Sequence, residues 1–272
     1  MNNYICTTCG TQFAQTSEKP EHCAICEDER QYVGYDGQQW TTLNELEQDH
    51  HNRIDQQENK LYGIGTEPKF GIGQRALLIQ SDQGNVLWDC ISLIDDKTIE
   101  QVNELGRLSA IAISHPHYYG SAVEWAKAFD VPLYLHEADS QWMMRPDPLI
   151  EFWQGNTLKL QQDLTLIRAG GHFEGGTVCH WASGTNGLGT LLTGDVIQVV
   201  ADKRWVSFMY SYPNLIPLPD SKVRRIVSAV ESYTFDRLYG AWWNAIVLSN
   251  AKASVRRSAE RYIKAIEGKG IE

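Results

Sequence analysis

Two sets of residues in this chain have the types and spacing to bind metal. His115 and His117 stand one residue apart in Ile113-Ser-His-Pro-His-Tyr-Tyr-Gly-Ser121. Four of the six cysteines form two pairs, Cys6-Thr-Thr-Cys9 and Cys23-Ala-Ile-Cys26. Two imidazoles at i and i+2 on a loop can face one ion; equally, they can both face solvent. The cysteine pattern is more specific. A two-residue gap lets both thiolates of one turn grip the same ion, and thirteen residues between the pairs allow the two turns to meet. Gly10 follows the first pair, where such a turn must be tight. A buried S₄ set takes zinc or iron. Two disulfides are the alternative, and they belong to oxidising compartments. Cys90 and Cys179 sit in apolar runs and read as small buried hydrophobes.

These residues need elements to hold them. The apolar run Leu108-Ser-Ala-Ile-Ala-Ile113 predicts a buried strand ahead of the histidines. Ser121, with Glu124 three residues on, predicts a capped helix from Ser121 to Phe129. The pair therefore lies where a strand gives way to a helix, a usual place for a site. Residues 1–38 carry few large apolar side chains and read as a small ribbon that needs its metal to fold. Residues 39–60 read as a linker helix, with Thr42 and Glu45 as a capping box and His50 and His51 on its solvated side. Gly63, Gly65, Gly71 and Gly73 match no phosphate-loop pattern and read as turns. Ala76–Ile79 and Asn85–Asp89 read as a hairpin. A helix capped at Asp95 or Asp96 follows. Val131–Leu135 is a further strand, ending at His136, a strand-end residue able to support a ligand or to serve structure alone. Two helices close the chain, one capped at Ser221 and one at Asn250.

With 42 % hydrophobic and 21 % charged residues, the 272-residue chain has the composition of a folded globular protein. Its net charge of −10 argues against nucleic acid and anionic membranes as partners. No apolar run reaches the length of a membrane span, and no basic region leads into an apolar one at the N-terminus, so the chain reads as cytoplasmic. Nine tryptophans suggest an aromatic core. Two aromatic segments, Trp142–Trp153 and Trp205–Asn214, can line a pocket or fill the core.

Beyond these readings, Tyr4–Phe13 resembles a rubredoxin or zinc-ribbon knuckle. From about residue 60 to 265 the order of elements and motifs resembles the metallo-β-lactamase superfamily. Ile111-Ala-Ile-Ser-His-Pro-His117 matches the start of that family's His-x-His-x-Asp-His motif. Gly170-Gly-His-Phe-Glu-Gly-Gly176 resembles its Gly-His-Thr-x-Gly segment. Leu191-Leu-Thr-Gly-Asp195 resembles the strand carrying its bridging aspartate, and Thr234–Gly240 the strand leading to its last histidine. The resemblance implies an α/β fold, a four-layer αββα sandwich over residues 61–272, preceded by the ribbon. It also implies hydrolase activity, with His115, His117, His172 and Asp195 as metal ligands.

Two departures shape the functional expectation. The family's Asp-His is Tyr119-Gly120 here, and Gly240-Ala-Trp-Trp-Asn244 holds no histidine. Those positions hold the family's second metal, so one ion is expected in the pocket: zinc, iron or manganese. Asp195 can orient or deprotonate water, and Tyr119 can donate to a developing oxyanion. The expected substrate is a small ester, thioester, lactone or amide. The alternatives are a rubredoxin-like iron redox protein and a catalytically silent metal-binding or interaction protein. His180 reads as a satisfied structural residue and His22 as a neighbour of a cysteine set that is already complete.

Overall fold

A computed structural model describes residues 1–270. The chain divides into two compact units. The first is Met1–Leu135 with Asp139–Trp153; the second is His136–Ala138 with the chain from Gln154 onward. Each is built on one main sheet.

The first unit begins with the ribbon. Its strand β1 (Ile5–Cys6) pairs antiparallel with β2 (Trp40–Thr41). One turn of helix, α1 (Leu43–Leu46), follows, with the expected Thr42/Glu45 capping box. The chain then departs from a linker helix: residues 51–58 are strand β3 (His51–Glu58). Hydrophobic spacing missed it because β3 is an edge strand of mostly polar residues, a composition that discourages pairing with other chains. Its buried residue is polar too. Asn52 donates to the Leu93 carbonyl and Thr98 hydroxyl (3.0 Å each) and accepts from Thr66 (2.9 Å).

Strand β4 (Leu61–Glu67) contains Gly63 and Gly65, which are strand residues and not turns. Gly71 and Gly73 do lie in a turn, at φ +56° and +78°. Strands β5 (Ala76–Ile79) and β6 (Asn85–Trp88) are buried at every position. Helix α2 (Asp96–Glu104) is capped by Asp95, whose carboxylate accepts the Thr98 N–H (2.7 Å). Strand β7 (Leu108–Ala112), helix α3 (Ala122–Phe129), strand β8 (Leu133–His136, of which the first three residues belong to this unit) and strand β9 (Ile150–Trp153) complete the unit. The sheet order is β3-β4-β5-β6-β7-β8-β9. It is antiparallel from β3 to β6 and parallel from β6 to β8. In β6-α2-β7-α3-β8 the histidine loop therefore occupies the C-terminal end of a central parallel strand, the end where such sheets bind ligands. Ser121 is the N-cap of α3, but its side chain makes no capping bond. The capping box fails because Glu124 is engaged by Arg145 instead (2.6 Å).

The second unit holds β10 (Thr157–Lys159), β11 (Leu164–Arg168), β12 (Thr177–Trp181), the one-turn α4 (Gly184–Gly187) and β13 (Thr190–Gly194). Short strands β14 (Gln198–Val199), β15 (Val206–Ser207), β16 (Met209–Ser211) and β17 (Ile216–Pro217) follow. Helix α5 (Asp220–Val230), β18 (Arg237–Gly240), β19 (Ile246–Val247) and helix α6 (Ala251–Ile266) end the chain. The main sheet runs β10-β11-β12-β13-β18-β19, with β13 and β18 parallel. Helix α5 takes Pro219 as its cap, two residues before the expected Ser221, and buries Val223, Ile226 and Val230. Helix α6 buries Val255, Ala259 and Ile263, and Asn250 takes its cap position with φ +55° and no side-chain bond. One apolar core joins these helices to Ile167, Val178, Leu191 and Leu238 of the sheet. Among the described residues no helix is long and apolar enough to cross a membrane.

Candidate metal centres

The four ribbon sulfurs converge. Cys6 and Cys26 have their Sγ atoms 3.5 Å apart, Cys9 and Cys23 3.7 Å apart, and all four lie within 4.8 Å of one another. A disulfide would need about 2.05 Å. A tetrahedron of zinc–sulfur bonds of about 2.3 Å has edges of about 3.8 Å, close to what is seen. The two turns are built alike. Gly10 N–H donates to the Cys6 carbonyl (2.8 Å), and Glu27 N–H to the Cys23 carbonyl (3.0 Å). Gly10 lies at φ +83°, and a Cβ there would sit 2.5 Å from Ser92 Oγ. Gln38 Nε2 donates to Cys6 Sγ (3.0 Å), as an outer partner of a thiolate should. Hydrogen bonds from neighbouring thiols, first from Cys23, hold Cys6 well below its ordinary pKa, while burial pushes Cys9 well above it. Deprotonating the full set needs a cation among the sulfurs. Cys90 and Cys179 are buried in the apolar interior.

The histidine loop of the first unit is held at both ends. At its start, Ser114 N–H donates to Asp89 Oδ1 (2.7 Å). Ser114 Oγ then bonds His115 Nδ1 (2.9 Å), which directs the other ring nitrogen away from the serine. Pro116 opens a single 3₁₀ turn, Pro116–Tyr118, that keeps His117 near His115, their ring centroids 5.2 Å apart. Both rings are buried. At the loop's end, Gly120 has φ +50°, and a Cβ there would lie 2.8 Å from the Ile91 backbone. The positive φ and this close approach both favour glycine at the position. Tyr119 turns its buried hydroxyl to the Asp139 carbonyl (3.5 Å), and burial raises its pKa well above the ordinary value. Tyr118, to which sequence reasoning assigned no role, lies against His115, at 4.5 Å between centroids.

In the second unit, β11 ends in the turn expected to hold His172. Ala169 and Gly170 N–H both donate to the Gly176 carbonyl (2.8 Å each), closing the loop on itself. Glu174 anchors the loop's outer side to Arg168 (2.8 Å), Lys222 (3.0 Å) and Arg225 (3.1 Å). His172 is buried, and its Nδ1–H donates to the Met209 carbonyl (3.1 Å). That bond selects the tautomer with its lone pair on Nε2, as metal-binding histidines require. Tyr212 lies 5.7 Å from the His172 ring and donates its hydroxyl to the Asp195 carbonyl (2.9 Å). Asp195 itself is buried directly after β13. Met209 and Tyr212 lie in the aromatic segment Trp205–Asn214 read from the sequence as a pocket wall or core filler, but their individual bonds carry no motif. The 240–244 segment is a tight turn, with Gly240 N–H on the Ala245 carbonyl (2.9 Å) and Asn244 at φ +64°.

The remaining buried histidines serve structure. His136 Nε2 donates to the Gly155 carbonyl (3.0 Å), and its Nδ1 accepts the Ala138 N–H (3.1 Å). His180 Nε2 donates to the Thr234 carbonyl (2.8 Å). Burial lowers the pKa of both below the ordinary 6.5. The folded chain thus keeps them neutral at pH values where the unfolded chain binds protons. Their contribution is complete above pH 6.5 and declines as pH falls from there to the lowered folded values. The urea midpoint should fall as the pH drops below about 6.5. His180→Gln should flatten part of that fall, and a midpoint constant across the window would contradict this account.

Comparison with known proteins gives three findings. The family model for the metallo-beta-lactamase superfamily matches residues 71–239. An uncharacterized protein of Bacillus subtilis (strain 168), YmaE, is 56 % identical over 268 residues, covering 98 % of this chain and 97 % of its own length. Among solved structures, the metallo-beta-lactamase DIM-1 exposed to ceftazidime has a TM-score of 0.60 at 15 % identity, covering 79 % of this chain and 98 % of its own. FIM-1 from Pseudomonas aeruginosa, in its mono-zinc form, has a TM-score of 0.56 at 11 % identity, covering 81 % of this chain and 97 % of its own. At these identities the structural likeness establishes the fold.

Proposed function

The chain belongs to the metallo-beta-lactamase superfamily, and on that premise we propose that it is a single-metal hydrolase of small esters, thioesters, lactones or amides. Membership supports metal-dependent hydrolysis at the family level. The single-ion reading rests on Gly120. The backbone of Ile91 leaves no room for a side chain where the family places a histidine of its second site.

In this reading His115, His117, His172 and Asp195 form one group that holds the ion. The donor set fits. Three imidazoles suit zinc, and the added carboxylate also suits iron or manganese. Bound there, a divalent ion supplies Lewis acidity, lowering the pKa of a water and polarising an acyl oxygen. The chain's own residues prepare that chemistry. Ser114 and Met209 fix the orientation of His115 and His172. Asp195 accepts a proton from the attacking water and returns it to the leaving group. Tyr119, with its hydroxyl against a backbone carbonyl, packs the loop and leaves donation to the substrate to other groups. The ribbon holds structural zinc, a role favoured by the burial of all four cysteines. Substrates are small molecules, and the chain's net charge of −10 disfavours nucleic acid.

The test is a screen of chromogenic esters, thioesters, lactones and anilides with the purified protein, before and after treatment with a chelator. Turnover that disappears on chelation and returns with zinc, iron or manganese supports the proposal. Absence of turnover across all four classes in metal-loaded protein contradicts it. Visible absorbance typical of ferric thiolate would put iron in the ribbon in place of zinc.

A further inference from the structure

We infer that the N-terminal ribbon is a working part of the histidine loop, and that Gln12 and Arg145 are positioning residues joining the two. The inference rests on the single-metal reading above and concerns what holds that site's first two ligands in place.

Gln12 lies three residues past Cys9 and is buried. Its backbone N–H donates to the carbonyl of Gly120 (2.9 Å), three residues after His117. Its side-chain carbonyl accepts from Arg145, which also holds Glu124 (2.6 Å) in the first turn of α3. Arg145 thus ties the segment that leaves the cysteine turn to the helix that leaves the histidine loop. Thr11, Gln12, Tyr119, Gly120 and Arg145 line one small cavity. Adjacent residues brace it from the other side. Ile91 accepts the Ser121 N–H (3.3 Å) and packs on Gly120, while Ser92 Oγ donates to the Gly10 carbonyl (2.7 Å). Further along, Ala14 N–H donates to the Met144 carbonyl (3.0 Å), and Arg30 lies over the Trp142 ring.

These bonds do not run to the ribbon's free side. They converge on residues 91–92, 120 and 144–145, which frame the histidine loop. A tether that merely carried a separate partner-binding module would need none of them. The half-buried Gln12–Arg145–Glu124 arrangement instead fixes the loop's exit, as Asp89 fixes its entry. Partners outside the ligand set are typically worth about 10- to 100-fold in metal affinity. One shell further out, the lower end of that range applies.

The experiment compares the full-length protein with Gln12→Ala and Gln12→Glu. Gln12→Ala keeps the backbone N–H but removes the Arg145 acceptor, and Gln12→Glu restores an acceptor for Arg145. Two quantities are read: amide hydrogen exchange of residues 113–124, and pocket zinc affinity by chelator competition with the ribbon site filled. Gln12→Ala should speed exchange in this segment and weaken pocket affinity by about tenfold, with ribbon stoichiometry unchanged. Gln12→Glu should restore both. Unchanged exchange and affinity in Gln12→Ala would overturn the inference. So would faster exchange with unchanged affinity, since the ribbon would then order the loop without positioning its ligands. If the unsubstituted protein binds no zinc beyond the ribbon, the single-metal reading fails by itself. Exchange then still decides whether Gln12 orders the loop.

Discussion

His172→Ala should lower kcat/KM on the best acyl substrate by about a thousandfold or more while leaving the fold intact. The size follows from what the imidazole does. Lewis-acid stabilisation is worth several kcal/mol, and each tenfold in rate is about 1.4 kcal/mol. Loss of one of three nitrogen ligands removes most of the ion's residence in the site. The fold should survive because the turn does not depend on the ring. Ala169 and Gly170 close it on Gly176, and Glu174 ties it to Arg168, Lys222 and Arg225. The truncation still leaves a small cavity and a carbonyl at Met209 without its donor, a cost of about 1–3 kcal/mol. Circular dichroism and the thermal midpoint should therefore show a native protein of modestly lower stability. Activity undiminished in His172→Ala would remove this residue from the site.

The second large effect concerns the ribbon. Cys9→Ser with Cys26→Ser should unfold residues 1–38 while the second unit keeps its structure. The ribbon's own core is small: Tyr4, Ile25, Trp40 and the cysteines, with Phe13, Ile72 and Trp142 packed against it. Binding of structural zinc supplies about 10–16 kcal/mol of apparent folding energy in comparable small modules, more than such a core can replace. The substitution should be read by limited proteolysis and hydrogen exchange. Rapid cleavage within residues 1–38 and continued protection of β11–β13 are expected. Because Gly10 and Gln12 bond to the loops around His115 and His117, protection there should fall as well. A ribbon that stays protected without its thiolates would show that its fold does not depend on metal.

Much of this was legible in the sequence because each feature had a local cause. The apolar run into Ile113, the rigid Pro116 between the histidines and the glycines around His172 all specify loop conformation through a few neighbouring residues. The cysteine spacing specified its turns in the same way. What escaped depended on distant partners. Strand β3 is polar because it is an edge strand, and its buried Asn52 is satisfied by Leu93, Thr98 and Thr66. Gly63 and Gly65 are punctuation in the sequence but strand residues in β4, both paired across to β3 and Gly63 also to β5. Glu124 had the spacing of a capping box, but Arg145, distant in sequence, engages it. That Tyr118 meets the His115 ring while the Tyr119 hydroxyl turns to the Asp139 carbonyl depends on which way one 3₁₀ turn faces, and spacing alone does not record that. The support of His172 by the Met209 carbonyl was equally invisible, since any residue there offers the same group.

The most direct test of the account is elemental analysis of the native protein beside His115→Ala/His172→Ala. Two metal ions per chain in the native protein, falling to one in the double variant, is the predicted result. It would assign one ion to the cysteines and one to the group of His115, His117, His172 and Asp195. A single ion in both proteins, lost only when Cys6 and Cys9 are replaced, would contradict the hydrolase reading and leave the ribbon as the chain's one metal site.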